Sequence, residues 1–183
     1  MTWFEPAGLL PELRYRAGMA EKTLREPIHP GVGIGHVHLK VADLERALGF
    51  YRDVLGFEVT QRMGWQGAFL SAGGYHHHLG LNTWESAGGS PPPPGTTGLY
   101  HVAIVYPTRA ALADALRRLI EADIELEGAA DHGVSEALYL RDPDGNGVEL
   151  YWDRPREKWP QTPARELAMF TQPLELAGLL KEQ

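Results

Sequence analysis

Residues 35–41 read GHVHLKV, and this stretch determines how the rest of the chain is interpreted. In an extended strand, successive side chains point to opposite faces, so His36 and His38 share one face while aliphatic residues occupy the other. Residues 100–105, YHVAIV, place His101 in the same relation to their aliphatic residues. We therefore predict two copies of one unit, offset by the 65 residues between His36 and His101.

The composition indicates a globular domain and limits the kinds of site it can carry. The 183 residues are 43% hydrophobic and 22% charged, close to the globular average. A net charge of −7 without a basic run argues against nucleic acid or an anionic membrane as a partner. We expect a soluble, cytoplasmic protein because no long apolar run or signal-like segment is present. Cysteine is absent, so any metal must be held by oxygen and by some of the eight histidines.

The first unit has the order strand, helix and three strands. Asp43 is typical of a helix N-cap, the apolar residues that follow have helical spacing, and Gly56 stands where a C-cap glycine belongs. Alternating apolar runs bounded by glycine turns predict the strands of this unit. The predicted strands cover residues 34–41, 57–63, 68–72 and 76–83.

The same order recurs after a linker rich in proline and glycine at residues 86–98. Pro107 and Thr108 open the second helix, and residues 142–146, DPDGN, form a turn before the last strand. The strands predicted for this unit cover residues 100–106, 124–127, 136–141 and 147–152. Proline-rich flanks predict an N-terminal arm at 1–30 and a C-terminal extension at 154–183. The fold class predicted is α+β.

Three motifs resemble the vicinal oxygen chelate superfamily of glyoxalases, bleomycin-resistance proteins and extradiol dioxygenases. They are GHVHLKVADLERALGFYRDVLGF, GLYHVAIVYP and YLRDPDGNGVELYWDRP, and the likeness covers residues 31–153. SAGGYHHHLGLNTW is more similar to the bacterial catechol 2,3-dioxygenase branch than to glyoxalases. The resemblance implies two tandem βαβββ units, residues 31–85 and 99–153, that form a curled, barrel-like mixed sheet with the helices outside.

The resemblance also implies a metal site. Its ligands would be His36 and His101 from the first strands of the two units and Glu149 from the last strand. Such a set of two histidines and one carboxylate suits Fe(II), and Mn(II), Ni(II) and Zn(II) are the alternatives. Glyoxalases carry a fourth ligand where this chain has Gly80.

Further pocket residues follow from the resemblance or from strand alternation. Tyr139, ten residues before Glu149, resembles the tyrosine that contacts the bound catecholate, and His132 resembles a pocket histidine preceding it. Alternation selects His78 from the run of three histidines, so that His132, Tyr139 and His78 are the predicted catalytic residues. The predicted substrate-binding residues are His38, Asn82 and Tyr151. Each of these also has a plain structural interpretation as a strand or surface side chain.

The expected function is a metal-dependent extradiol dioxygenase that cleaves a catechol-like aromatic with dioxygen, in a homodimer. Two other classes remain open: a glyoxalase-like isomerase or lyase, and a non-catalytic small-molecule binder of the resistance type. One fold hosts all three, so the fold alone does not separate them.

Overall fold

The predicted strand–helix–three-strand order occurs twice in a computed structural model, which describes residues 26–183. The strands and helices all belong to one body, Ile34–Gln183. The predicted N-terminal arm lies almost entirely outside the described residues. Within residues 26–183, no helix is long and apolar enough to cross a membrane.

Unit one forms a four-stranded mixed sheet with the order β1-β4-β3-β2. Strand β1 pairs in parallel with β4, whereas β3 pairs antiparallel with both β4 and β2. The strands are β1 (Val37–Lys40), β2 (Glu58–Met63), β3 (Gly67–Ser71) and β4 (Leu79–Asn82). Strand β1 is therefore an edge strand of its sheet.

The helix of unit one begins at Asp43 and stops before Gly56 as predicted, with Gly56 at a φ of +84°, but its second half is wound differently. The Asp43 carboxylate accepts a hydrogen bond from the Arg46 backbone N–H at 2.9 Å and caps helix α1 (Leu44–Leu48). The chain then continues as a π-helix, Gly49–Val54, instead of the predicted regular α-helix. The wider winding coincides with the burial of two adjacent aromatic residues, Phe50 and Tyr51.

Unit two repeats this architecture in a five-stranded sheet with the order β5-β8-β7-β6-β9. Its elements are β5 (Val102–Val105), α2 (Arg109–Glu121), β6 (Gly128–Asp131), β7 (Ser135–Arg141) and β8 (Gly147–Asp153). Strand β5 is an edge strand that pairs in parallel with β8, as β1 does with β4. The α+β class and the tandem units are confirmed, with one mixed sheet in each unit rather than a closed barrel.

Two predicted strands are misplaced. A strand was predicted at 124–127, but the strand of the structure is β6, four residues later. The β6 sequence, GAAD, has a low strand propensity, so only its pairing with β7 reveals it as a strand. Ile124 and Leu126 pack against the core from outside the sheet. The strand predicted at 76–83 is only β4, so the three histidines at 76–78 precede it.

Polar contacts join the two units at the turn between β7 and β8. The hydroxyl of Tyr51, in the π-helix, donates to Asp142 Oδ2 at 2.9 Å. The Arg46 guanidinium donates to Asp144 Oδ1 at 2.6 Å, and the Ala42 backbone N–H donates to the same oxygen at 3.0 Å. Both aspartates are buried, so these bonds fix unit two's turn against unit one's helix.

The C-terminal extension packs on unit two. After a short 3₁₀ turn, Arg156–Lys158, the chain adds strand β9 (Gln172–Pro173) to the free edge of β6. Helix α3 (Leu176–Leu179) follows, and the Leu179 side chain is completely buried in the core. The extension is therefore part of this body rather than a free tail.

Candidate functional site

Unit two places a histidine and a carboxylate in direct contact. His101 immediately precedes β5, and Glu149 lies on β8, the strand paired with β5. Their nearest atoms, His101 Nε2 and Glu149 Oε2, are 2.9 Å apart. The Glu149 side chain is only 13% exposed, and its neighbours on β8, Val148 and Leu150, face the core. Strand alternation thus presents Glu149 on the face away from the core, as predicted.

Tyr139 and His132 extend this pair into a row of four residues. Tyr139 lies directly opposite Glu149 in the β7–β8 ladder, and its hydroxyl is 3.1 Å from Glu149 Oε1. On the other side, the same hydroxyl is 2.7 Å from His132 Nε2. Burial, and then the Glu149 carboxylate, raise the pKa of Tyr139 to about 12. The phenol therefore keeps its proton at neutral pH.

His36 is not part of this row. With Val37, it lines a cavity of about 310 Å³ whose other wall is β5, Val102–Val105. Among residues 26–183, no group of three or more His, Asp or Glu side chains is arranged to hold a metal ion. The structure therefore brings together His101 and Glu149 of the predicted ligands and leaves His36 beside β5.

His77 is the residue that packs against His36, and the sequence prediction missed it. The ring centroids of His36 and His77 are 4.4 Å apart, and the His77 ring is also 4.6 Å from that of Phe69. His77 is half-buried, and burial, followed by the neighbouring histidines, lowers its pKa. Strand alternation had assigned it to the opposite face, but alternation does not apply because these histidines precede β4.

His78, the predicted catalytic member of this run, is held differently. Its Nδ1 is 3.1 Å from the Ser71 hydroxyl, and its ring stacks at 4.8 Å on Tyr75. It is exposed and borders the same cavity as His36 without a ring contact to it. No sequence signal other than the position of the strand start separates His77 from His78.

His38 and Asn82 form a second polar pair on unit one. Asn82 is 7% exposed, and its amide nitrogen is 2.9 Å from His38 Nε2 while its Oδ1 accepts from the Trp84 backbone N–H. The hydrogen-bonding groups of Asn82 are thus used within the protein. Asn82 supports His38 and Trp84 rather than presenting a free amide. Burial, and then His36, lower the pKa of His38.

Tyr151, the remaining predicted substrate contact, lies two residues beyond Glu149 on β8. It is half-buried on the same face of the sheet, and it pairs with Val105 of β5 and with Ala137 of β7. Burial raises the pKa of its phenol, with smaller contributions from Asp153 and Glu149. Its position therefore agrees with the predicted alternation.

The His101–Glu149 pair has the chemistry and the spacing of two ligands of one metal ion. Imidazole and carboxylate ligands lie about 2.0–2.2 Å from a divalent metal, so two adjacent ligands are separated by about 3 Å. The observed separation of 2.9 Å satisfies this condition. His101 Nδ1 is buried and has no hydrogen-bond partner among residues 26–183, whereas Nε2 faces Glu149.

Comparisons with known proteins agree with this description. Residues 33–150 match the model of the Glyoxalase/Bleomycin resistance protein/Dioxygenase superfamily. The chain is 46% identical over 155 residues to catechol-2,3-dioxygenase of Bacillus subtilis. This alignment covers 85% of this chain and 53% of that protein. It is 36% identical over 120 residues to biphenyl-2,3-diol 1,2-dioxygenase 3 of Rhodococcus globerulus, covering 66% of this chain and 63% of that one.

A solved structure supports the fold. Lactoylglutathione lyase from Agrobacterium tumefaciens superposes with a TM-score of 0.52 at 28% identity, covering 68% of this chain and 96% of that one. The chain spans only about half to three fifths of the two dioxygenases, at 53% and 63% of their lengths. From the family match over residues 33–150, the chain belongs to the Glyoxalase/Bleomycin resistance protein/Dioxygenase superfamily.

Proposed function

We propose that this protein is a metal-dependent extradiol dioxygenase that acts on a catechol-like aromatic. The observation that carries the proposal is the row His132–Tyr139–Glu149–His101, in which a half-buried carboxylate and imidazole adjoin a protonated phenol. The likeness to two ring-diol dioxygenases supports this reaction class over the others in the superfamily.

His101, Glu149 and His36 would hold the metal. This set of two histidines and one carboxylate favours Fe(II), with Mn(II), Ni(II) and Zn(II) as the competing ions. When bound, the metal supplies Lewis-acid binding of the two adjacent catechol oxygens and activates dioxygen for reaction with the ring. His36 of the same chain would be the third ligand, and its support is that it lines a cavity together with β5, the strand that follows His101.

The protein's own residues orient the substrate and move its protons. The Tyr139 hydroxyl, which is protonated at neutral pH, forms a hydrogen bond with a catechol oxygen bound beside Glu149. His132 Nε2 is 2.7 Å from that hydroxyl and exchanges a proton with it. On the other side, His77 serves as the acid–base residue next to His36, in place of the predicted His78. The half-buried His77 ring contacts His36, a proposed metal ligand, whereas the His78 ring is exposed.

The alternative isomerase or lyase chemistry requires a second carboxylate near the metal. The β1–β4 register places Gly80 opposite His38, the position that corresponds to Glu149 opposite Ala103 in unit two. Unit one therefore offers no carboxylate at the equivalent point.

The direct test is oxygen uptake by protein reconstituted anaerobically with Fe(II). Catechol and substituted catechols should consume oxygen and give a yellow ring-cleavage product. Resorcinol is the matched control, because its two hydroxyls are not adjacent and cannot both bind one metal ion. Absence of uptake with every catechol, in protein shown to hold iron, would reject the proposal. Turnover of a glutathione hemithioacetal instead would establish the lyase alternative.

A mixing experiment tests the origin of His36. The variants His36→Ala and Glu149→Ala are each expected to be inactive, and their mixture should also be inactive if one chain supplies all three ligands. Recovery of activity on mixing would place the site between two chains, since a mixed dimer then contains one intact site. Light scattering of the wild-type protein tests the expected homodimer separately.

A further inference from the structure

The C-terminal extension closes around the loop that carries His132. The Phe170 backbone N–H donates to the His132 carbonyl at 3.3 Å, and strand β9 pairs with the end of β6 immediately before His132. In addition, Arg154 forms a two-pronged ion pair with Asp131 at 2.5 and 2.9 Å. The chain at Asp131 and His132 is thus held by residues that follow unit two.

The loop is shaped to fit under the extension. Gly133 has a φ of +77°, a conformation that favours glycine. A Cβ atom at this position would come within 2.6 Å of the Phe170 ring and 2.8 Å of Pro160. Glycine is therefore required both by the backbone turn and by the close approach of the extension.

The extension also contacts the His132 side chain. His132 Nδ1 is 3.2 Å from the Phe170 carbonyl oxygen and 3.2 Å from the Thr171 hydroxyl. A carbonyl oxygen only accepts hydrogen bonds, so its contact with Nδ1 requires a proton on that nitrogen. In the neutral ring, Nε2 then carries a lone pair and faces the Tyr139 hydroxyl at 2.7 Å.

We propose that residues 168–173 are a positioning element for His132, with Thr171 as a positioning residue. The element fixes the ring so that Nδ1 carries the proton and Nε2 accepts from Tyr139. The Tyr139 hydrogen can point either to His132 or to Glu149, since both acceptors lie within 3.1 Å. Because the C-terminal extension keeps Nε2 as an acceptor, it favours the orientation in which the Tyr139 hydrogen points to His132. This orientation therefore depends on a segment outside both βαβββ units. The catalytic consequence rests on the proposed function, whereas the orientation of His132 does not.

Nitrogen-15 NMR of the metal-free protein tests the orientation directly. Neutral His132 should show the proton on Nδ1, and Thr171→Val should shift the Nδ1 resonance while the Phe170 carbonyl keeps the proton on that nitrogen. Thr171→Ser keeps a hydroxyl and should restore the wild-type resonances. Thr97→Val is the matched control, because Thr97 is exposed in the linker and far from His132 in sequence. A proton on Nε2 in the wild type, or identical His132 resonances in Thr171→Val and Thr97→Val, would overturn the proposal.

Kinetics with the iron-loaded enzyme test the consequence. Loss of one hydrogen bond to a proton-handling residue should lower kcat about fivefold in Thr171→Val, with KM and the melting temperature nearly unchanged. Thr171→Ser should recover most of the activity, and Thr97→Val should match the wild type. Equal kcat in Thr171→Val and Thr97→Val contradicts the role in catalysis. An inactive wild type with the expected resonances would reject the proposed function and leave the positioning of His132 intact.

Discussion

The two units have the same strand pairing but carry different side chains at equivalent points. In unit two, Glu149 faces Tyr139 across the β7–β8 ladder. At the corresponding point of unit one, Gly80 faces Phe69 across the β3–β4 ladder. A carboxylate and a phenol are thus replaced by a hydrogen and a phenyl ring. The repeat therefore supplies the same scaffold twice, whereas the carboxylate and the phenol of the proposed site come from unit two alone.

On the neighbouring strands, β1 and β5, it is unit one that has the larger, polar side chain. Unit two has the small Ala103 beside Glu149, whereas unit one has His38 beside Gly80. A Cβ atom at Gly80 would come within 2.9 Å of the His38 ring. In unit one, a histidine ring therefore covers the position at which unit two exposes its carboxylate. Unit one contributes His36 and His77 to the proposed site, but no carboxylate.

Apart from the metal ligands, the largest effect is expected from His77, the acid–base histidine of unit one. Replacing His77 by glutamine should lower kcat about 100-fold, because a general acid–base residue contributes a factor of this order or more. His78→Gln is the matched control from the adjacent position, where the ring is exposed and contacts Tyr75 instead of His36. Steady-state oxygen uptake with catechol measures both. Equal losses of kcat in the two variants would show that His77 is not the acid–base residue of unit one.

The next effect concerns stability in unit one. Gly80→Ala should lower the free energy of unfolding by about 1–3 kcal/mol, because the added methyl group meets the His38 ring. The double variant His38→Ala/Gly80→Ala should lose less than the sum of the two single variants, since the collision is then removed. Urea unfolding of all four proteins gives the comparison. Additive losses would mean that the His38 ring does not restrict position 80.

The smallest effect is a shift in the ionisation of Tyr139. The difference in ultraviolet absorbance between wild type and Tyr139→Phe should titrate near pH 12. Because folding raises this pKa, the contribution of Tyr139 to stability is complete below about pH 10 and is lost as the pH rises towards 12. Glu149→Gln should lower the midpoint, since the neighbouring charge is removed. A wild-type midpoint at 10 would show that neither burial nor Glu149 acts on the phenol.

Much of the fold could be predicted from the sequence, because periodicity and capping are local properties. The caps at Asp43 and Thr108 are present, and each cap side chain accepts a hydrogen bond from the first helical turn. The predicted correspondence of Gly80 with Glu149 is also the observed register. The position of strand β6 could not be predicted, because its sequence, GAAD, has little strand preference. The strand forms there because it pairs with its neighbours.

The site was predictable where it depends on alternation within one ladder. Glu149 and Tyr139 face each other because they are paired residues of one hairpin, and the fixed register determines this contact. The position of His77 depends instead on the bend before β4, and the contact of His132 with Phe170 joins residues 38 positions apart. Such contacts depend on how distant segments pack, which hydrophobic periodicity does not encode. The ligand set of His36, His101 and Glu149 stays a prediction.

Iron binding by matched glutamate variants is the direct test of Glu149 as a metal ligand. Wild-type protein, Glu149→Gln and Glu58→Gln would be equilibrated anaerobically with Fe(II), and bound iron measured per folded chain. Glu149→Gln removes the carboxylate charge beside His101, whereas Glu58→Gln makes the same change at an exposed residue of β2 in unit one. We expect one iron ion per chain in the wild type and in Glu58→Gln, with almost complete loss in Glu149→Gln. Full iron occupancy in Glu149→Gln would contradict the assignment of Glu149 as a metal ligand.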